Sequence, residues 1–223
     1  MNEAALYAVR SGRQIVTDYD FDQARDKVLM GAERKSLTMP EHERITCAYH
    51  ESDHAVVAAL LPHADPLHKV TIIPRGRALG VTMQLPEGDR HTHTREFLKA
   101  QIAILMGGRI AEELFLRQMT SGAGSDIERA TEIARRMVCE FGMSPNLGPL
   151  AYRTADSDRG AGISESTAQR VDEEVRELVM RGYETARQLI AKNRATVRAM
   201  AEELLANESL DADAIKEVIA ANS

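Results

Sequence analysis

His50 and His54 stand four residues apart, with Glu51 directly after the first, in the stretch TCAYHESDHAVVA. The segment from about Glu41 to Leu61 lies between Pro40, which suits a first helical turn, and Pro62, which stops a helix. On such a helix, residues four apart project only about 40° from one another. Two imidazoles so placed can meet one cation at about 2.0–2.1 Å each. Glu51 lies about 100° round from His50, beside that face rather than on it. From there a carboxylate can take a proton from water whose pKa an ion has lowered to about 7. The pattern is that of helical zinc sites in which Glu is the general base. It also arises by chance on charged helices, and two histidines leave a catalytic zinc short of its usual third protein ligand. Cys47 shares the face, although a small buried hydrophobe is the simpler reading of a lone thiol. Glu112, Glu113 and Asp126 are carboxylates further along. Spacing does not choose among these candidates.

The rest of the chain supplies the setting. Its 223 residues suffice for one sizeable core. Hydrophobic residues make up 43% and charged residues 28%, a soluble, globular balance. A net charge of −6 without a basic cluster argues against a nucleic-acid partner. Cys47 and Cys139, the only cysteines, fit a reducing compartment better than a disulfide framework. No apolar run approaches the ~20 residues needed to cross a bilayer, and the first residues carry no signal-peptide pattern. The chain as given therefore reads as soluble, and a membrane anchor would have to belong to a longer parent.

Periodicity and breakers predict mainly α structure with one small β-hairpin. NEAALYAVR is a helix closed by Gly12, and DFDQARDKVLMGAERK a second, with Asp20 and Gln23 as a capping box. The motif helix follows. Val70–Ile73 and Val81–Leu85 read as two strands joined by a Pro/Gly connection. Residues 94–116 form one long apolar helix with Gly107 and Gly108 in its middle, and 120–126 a Gly/Ser loop. A helix over 126–142 ends at Gly142, and 148–162 is loop. A long helix capped by Ser164 or Ser166 runs to Asn193, and two shorter helices finish the chain. His42, His63, His68, His91 and His93 read as surface residues.

Five blocks carry a resemblance: AYHESDHAVVAAL, DPLHKVTIIPRGRALGVTMQLPEGD, GGRIAEELF, TSGAGSDIERATEIARRMV and FGMSPNLGPL. In order and spacing they resemble the peptidase domain of the membrane-anchored, ATP-dependent AAA+ zinc proteases called FtsH, the bacterial forms most closely. The resemblance implies a zinc endopeptidase with one Zn2+ per subunit, held by His50, His54 and Asp126, with Glu51 as catalytic base. It implies a β-edge for extended substrate around Val70, Thr71, Ile72, Gly80 and Val81. It also divides the chain, with residues 1–34 as a remnant of the AAA+ lid and linker and 35–223 as the peptidase domain. The resemblance further implies a hexameric ring, unfolded or membrane-derived polypeptide substrates, a role in quality control, and an AAA+ module in cis in the parent protein. The full-length family sits at the cytoplasmic face of the bacterial inner membrane. No G-x-x-x-x-G-K-[ST] phosphate loop occurs in this chain, so ATP would act only in the parent.

One position departs from the pattern. The family usually has Gly just before the second histidine, where this chain has Asp53. On a helical wheel Asp53 lies about 80° from the metal direction, on the side opposite Glu51. It can face solvent, tune the site, or occupy a place where Gly was needed for close packing. The expectation is impaired or altered activity, and the alternative function is a ring-forming scaffold without catalysis. A third reading is another zinc hydrolase that acts at free chain termini.

Overall fold

Capping side chains and short loops cut the chain into its elements. α1 (Asn2–Arg10) leads through a turn into α2 (Asp18–Met30). The cap of α2 is Thr17 rather than Asp20. The Asp20 carboxylate instead accepts the Thr17 backbone N–H and hydroxyl, both at 2.9 Å, so the box is Thr17–Asp20. α3 (Glu41–Leu60) carries the histidine motif. β1 (Leu67–Thr71) and β2 (Val81–Gln84) follow, then α4 (Arg95–Ala111), whose Thr94 cap accepts from the Phe97 N–H. A π-helical turn (Glu112–Leu116) ends this run, so the apolar stretch is not one uniform helix. α5 (Gly124–Cys139), α6 (Glu165–Lys192), α7 (Arg194–Asn207), β3 (Ser209–Asp211) and α8 (Ala212–Ala221) complete the order. Ser164, not Ser166, caps α6 by accepting the Thr167 N–H. The computed structural model describes residues 2–34, 37, 39–76, 78–86, 88–152 and 163–222. Most of the loop expected over 148–162 lies outside the described residues.

The fold is mainly α with one small antiparallel sheet, ordered β2-β1-β3. The third strand was not legible as a strand. It is three residues between two helices, with only Leu210 fully turned inward, and its partner β1 is far away in sequence. β1 also starts earlier than expected and stops at Thr71. Val70 faces Thr82 on one side and Leu210 on the other, so β1 is the interior strand.

α4 is the hub and packs on α3, α5 and α6, while α3 also lies along α7. Ile102, Ile110, Met137, Ile190, Met200, Leu204 and Ile215 are the large apolar side chains sealed in this core. Each such burial is worth roughly 1.5–3 kcal/mol of transfer free energy. α1 and α2 pack mainly on each other. They are tied to the rest by Asp26, which bonds His68 at 3.1 Å and also pairs with Lys69, and by the Arg75–Glu33 pair at 2.6 Å. Among the described residues no helix is long and apolar enough to cross a membrane.

Candidate metal centre and its neighbours

The helical turn between His50 and His54 brings both rings to the same side of α3, edge to face with centroids 4.6 Å apart. Their Nε2 atoms are 3.1 Å apart. Asp126, in the first turn of α5, reaches across so that its Oδ2 lies 3.1 Å from His50 Nε2 and 3.4 Å from His54 Nε2. Among the described residues this is the one His/Cys/Asp/Glu group with metal-holding geometry. The fit to zinc can be tested by length. A tetrahedron with bonds of about 2.0–2.1 Å has edges of about 3.3–3.4 Å, close to this triangle. Two nitrogens and a carboxylate oxygen, aimed at one another at such spacing, also need a positive charge between them.

Second contacts fix the ligand atoms. His54 Nδ1–H donates to the Ile104 carbonyl at 2.7 Å, which leaves Nε2 as the lone-pair nitrogen facing the triangle. Burial draws the His54 imidazolium down. The hydrogen bond and charge of Asp126, the Glu51 charge and the Ile104 carbonyl outweigh it and hold the pKa at about 9. Burial raises the Asp126 carboxyl, but its hydrogen bonds and charge contacts with His50 and His54 take it well below the usual carboxylate range. Both shifts favour positive charge between these groups, so a bound cation would take the place of the imidazolium proton on Nε2.

Close packing explains why this apolar helix carries Gly107 and Gly108 near its C-terminal end. A Cβ on Gly108 would fall 2.1 Å from Cε1 of His50, and one on Gly107 would lie 3.1 Å from the Asp53–His54 backbone. Glycine lets α4 approach α3 where the imidazoles need room. Glu112, one of the ligand candidates, is buried elsewhere. Its carboxylate accepts from the Thr120 N–H at 2.8 Å and the Thr120 hydroxyl at 2.6 Å, which anchors the loop that delivers Asp126. Glu113 accepts from the Tyr183 hydroxyl at 2.6 Å and pairs with Arg109. Cys47 stays outside the triangle, beside Glu51, and burial together with the Glu51 charge pushes its thiol pKa up.

Glu51 flanks the triangle, only 6% exposed, and accepts a hydrogen bond from the Thr82 hydroxyl at 2.7 Å. Gly80 abuts it so closely that a Cβ there would lie 2.7 Å from Glu51 Oε1. Val81 begins β2. Val70, Thr71 and Ile72 are buried, and Val70 and Thr71 pair with strands on both sides. Of the five residues expected along a substrate edge, Gly80 and Val81 therefore lie at the outer strand β2, and the other three behind it. Asp53 is fully buried, and both its carboxyl oxygens lack a hydrogen-bond partner. Burial raises its pKa well above the usual carboxylate value, against the pull of His54 and Arg194. Nothing local in the sequence marks Thr82 or Glu112 as a support: Thr82 sits in an ordinary strand, and Glu112 stands among several carboxylates that could be ligands.

The sequence profile described as Peptidase family M41 matches residues 37–218. The ATP-dependent zinc metalloprotease FtsH of Acidobacterium capsulatum is 56% identical over 98% of this chain and 35% of its own length. Proteins of the same name from Magnetococcus marinus and Cupriavidus metallidurans are each 50% identical, over 99% of this chain and 34% and 35% of their own lengths. The chain thus spans about a third of the length of the curated relatives it matches. Likeness of this depth along nearly every residue described above leaves one assignment: the chain belongs to peptidase family M41, with FtsH proteins among its relatives.

Proposed function

We propose that this chain is the zinc endopeptidase part of an ATP-dependent protease, in which His50, His54 and Asp126 hold one Zn2+ and Glu51 is the general base. The observation that carries this reading is the near-equilateral ligand triangle with Glu51 at its flank. When bound, zinc would act as a Lewis acid that polarises a peptide carbonyl and acidifies water. The protein's own part is positional. His54 is held in the Nε2-ligand tautomer by Ile104, and Asp126 stays ionised between the two rings. The Glu51 carboxylate takes the proton from the attacking water and returns it to the departing amine. An extended polypeptide would lie along the outer edge of β2, near Gly80 and Val81, through main-chain hydrogen bonds that accept many sequences. Val70, Thr71 and Ile72 would support that edge from the interior strand.

The parent protein would supply the AAA+ module, the membrane anchor and the hexameric ring, with residues 1–34 as the end of the lid and linker. ATP hydrolysis there would feed unfolded or membrane-derived chains to this domain at the cytoplasmic face of the membrane, in quality control. The ordered triangle supports catalysis over the scaffold reading, because Asp53 is turned into the interior and outside the triangle. Casein digestion by the purified chain tests the proposal. Glu51→Gln is expected to lower the rate by roughly 10²–10⁴-fold at unchanged zinc content, and a strong chelator to abolish it. Undiminished cleavage by either preparation refutes the mechanism. Product mapping that finds only terminal cuts would replace it with an exopeptidase.

A further inference from the structure

β2 does more than offer an edge. We propose that Thr82 is a positioning residue that holds the Glu51 carboxylate in its working orientation, an inference that rests on the reading of Glu51 as base. Thr82 Oγ1 lies 2.7 Å from Glu51 Oε2 and 3.1 Å from the Glu51 carbonyl oxygen. Both neighbours are acceptors and the hydroxyl has one proton, so the shorter, charge-assisted bond to Oε2 takes it. That bond leaves Oε1 free to receive a proton.

A glutamate on a helix has three rotatable side-chain bonds and would otherwise sample several rotamers. Here it is closed in from the strand side. Gly80 passes against Cγ and Oε1, where a Cβ would approach to 2.7 Å, and Thr82 grips Oε2. Both residues belong to one short segment whose position is itself fixed. Thr82 pairs with Val70 of the buried interior strand, and the register between the two strands is regular from Lys69 to Thr71. The irregularity in the ladder falls beyond Lys69, away from this contact. Alternation along β2 turns Thr82 towards α3 while Val81 and Met83 point the other way. The strand proposed to carry substrate therefore also sets the base, so substrate edge and proton acceptor keep one geometry.

Thr82→Val keeps the shape and removes the donor, whereas Thr82→Ser keeps the donor. On an unfolded fluorogenic peptide, Thr82→Val is expected to lower kcat by about 10–100-fold with KM, zinc stoichiometry and thermal midpoint unchanged. Thr82→Ser should restore most of the loss. Added to Glu51→Gln, Thr82→Val should cause no further drop, and its crystal structure should show the Glu51 carboxylate rotated or spread over rotamers. Wild-type kcat in Thr82→Val, with Glu51→Gln inactive, overturns the positioning role and leaves the base intact. So does a Thr82→Val crystal structure with Glu51 unmoved. An active Glu51→Gln overturns both.

Discussion

The carboxyl group of Asp53 is buried beside the two histidines without a hydrogen-bond partner. It sits at 0% exposure, in the middle of the helix that carries both. A buried polar group without a partner costs about 1–3 kcal/mol, more if it were charged. Burial raises its pKa well above the usual carboxylate value and outweighs the favourable charges of His54 and Arg194, which favours the neutral form. Its cost thus falls on stability, while the ligand triangle beside it remains closed. Asp53→Ala is expected to raise the unfolding free energy by about 1 kcal/mol in urea melts, the relief of the carboxyl exceeding the small void. Zinc content should not change. A fall in stability would mean that the carboxyl has a partner or fills essential volume. The side chain turns into the interior, and peptide cleavage compared between this chain and Asp53→Gly checks the altered activity expected from the motif.

Among the elements, the junction between α2 and β1 concentrates charge in a small space. Asp26 is 1% exposed and meets both His68 and Lys69 of the interior strand. Burial raises its pKa, but the hydrogen bonds and charges of Lys69 and His68 win and lower it below the usual value. A carboxyl depressed in the folded state contributes stability above its unfolded pKa of about 3.9 and loses it as pH falls through the folded value. Asp26→Asn is therefore expected to cost about 1–2 kcal/mol in urea melts at pH 7, with the difference from wild type shrinking as the pH is taken below 4. A gap that persists unchanged at low pH would show that the loss comes from packing. His68 was expected at the surface, and it is this pairing, between residues 42 apart, that draws it in.

For the whole molecule, an ion held by His50, His54 and Asp126 would be a cross-link. Its donors come from α3 and α5, which share α4 as a common packing partner. A ligand that binds only the folded state stabilises it by about 4 kcal/mol at a thousand times its Kd. For a domain of this size that corresponds to a rise of roughly 8–16 °C in Tm. Calorimetry of chelated and zinc-loaded protein should show this gain, and Asp126→Ala should remove most of it. An equal Tm in both preparations would mean that the three side chains hold no ion.

Local rules were enough for the existence of the helices, of the two longer strands and of the His50–His54 pair, but not for the π-helical turn that ends the apolar run or for the bounds of β1. What they reached follows from periodicity, breakers and one helical turn, which act within a few residues. A third donor does not follow from spacing: Cys47 reads more simply as a buried hydrophobe, and Glu112, Glu113 and Asp126 stand level until the resemblance selects one. Tertiary packing settled what each of these groups touches: Glu112 anchors a loop, Glu113 meets Tyr183, Cys47 sits beside Glu51, and Asp126 meets the imidazoles. The same holds for β3, which exists only because β1 offers it a partner, and for the hydroxyl of Thr82 on Glu51. Sequence dictates what a residue can do over short range. Which groups meet across 31 or 76 residues is decided by how the helices and the sheet close around their shared core.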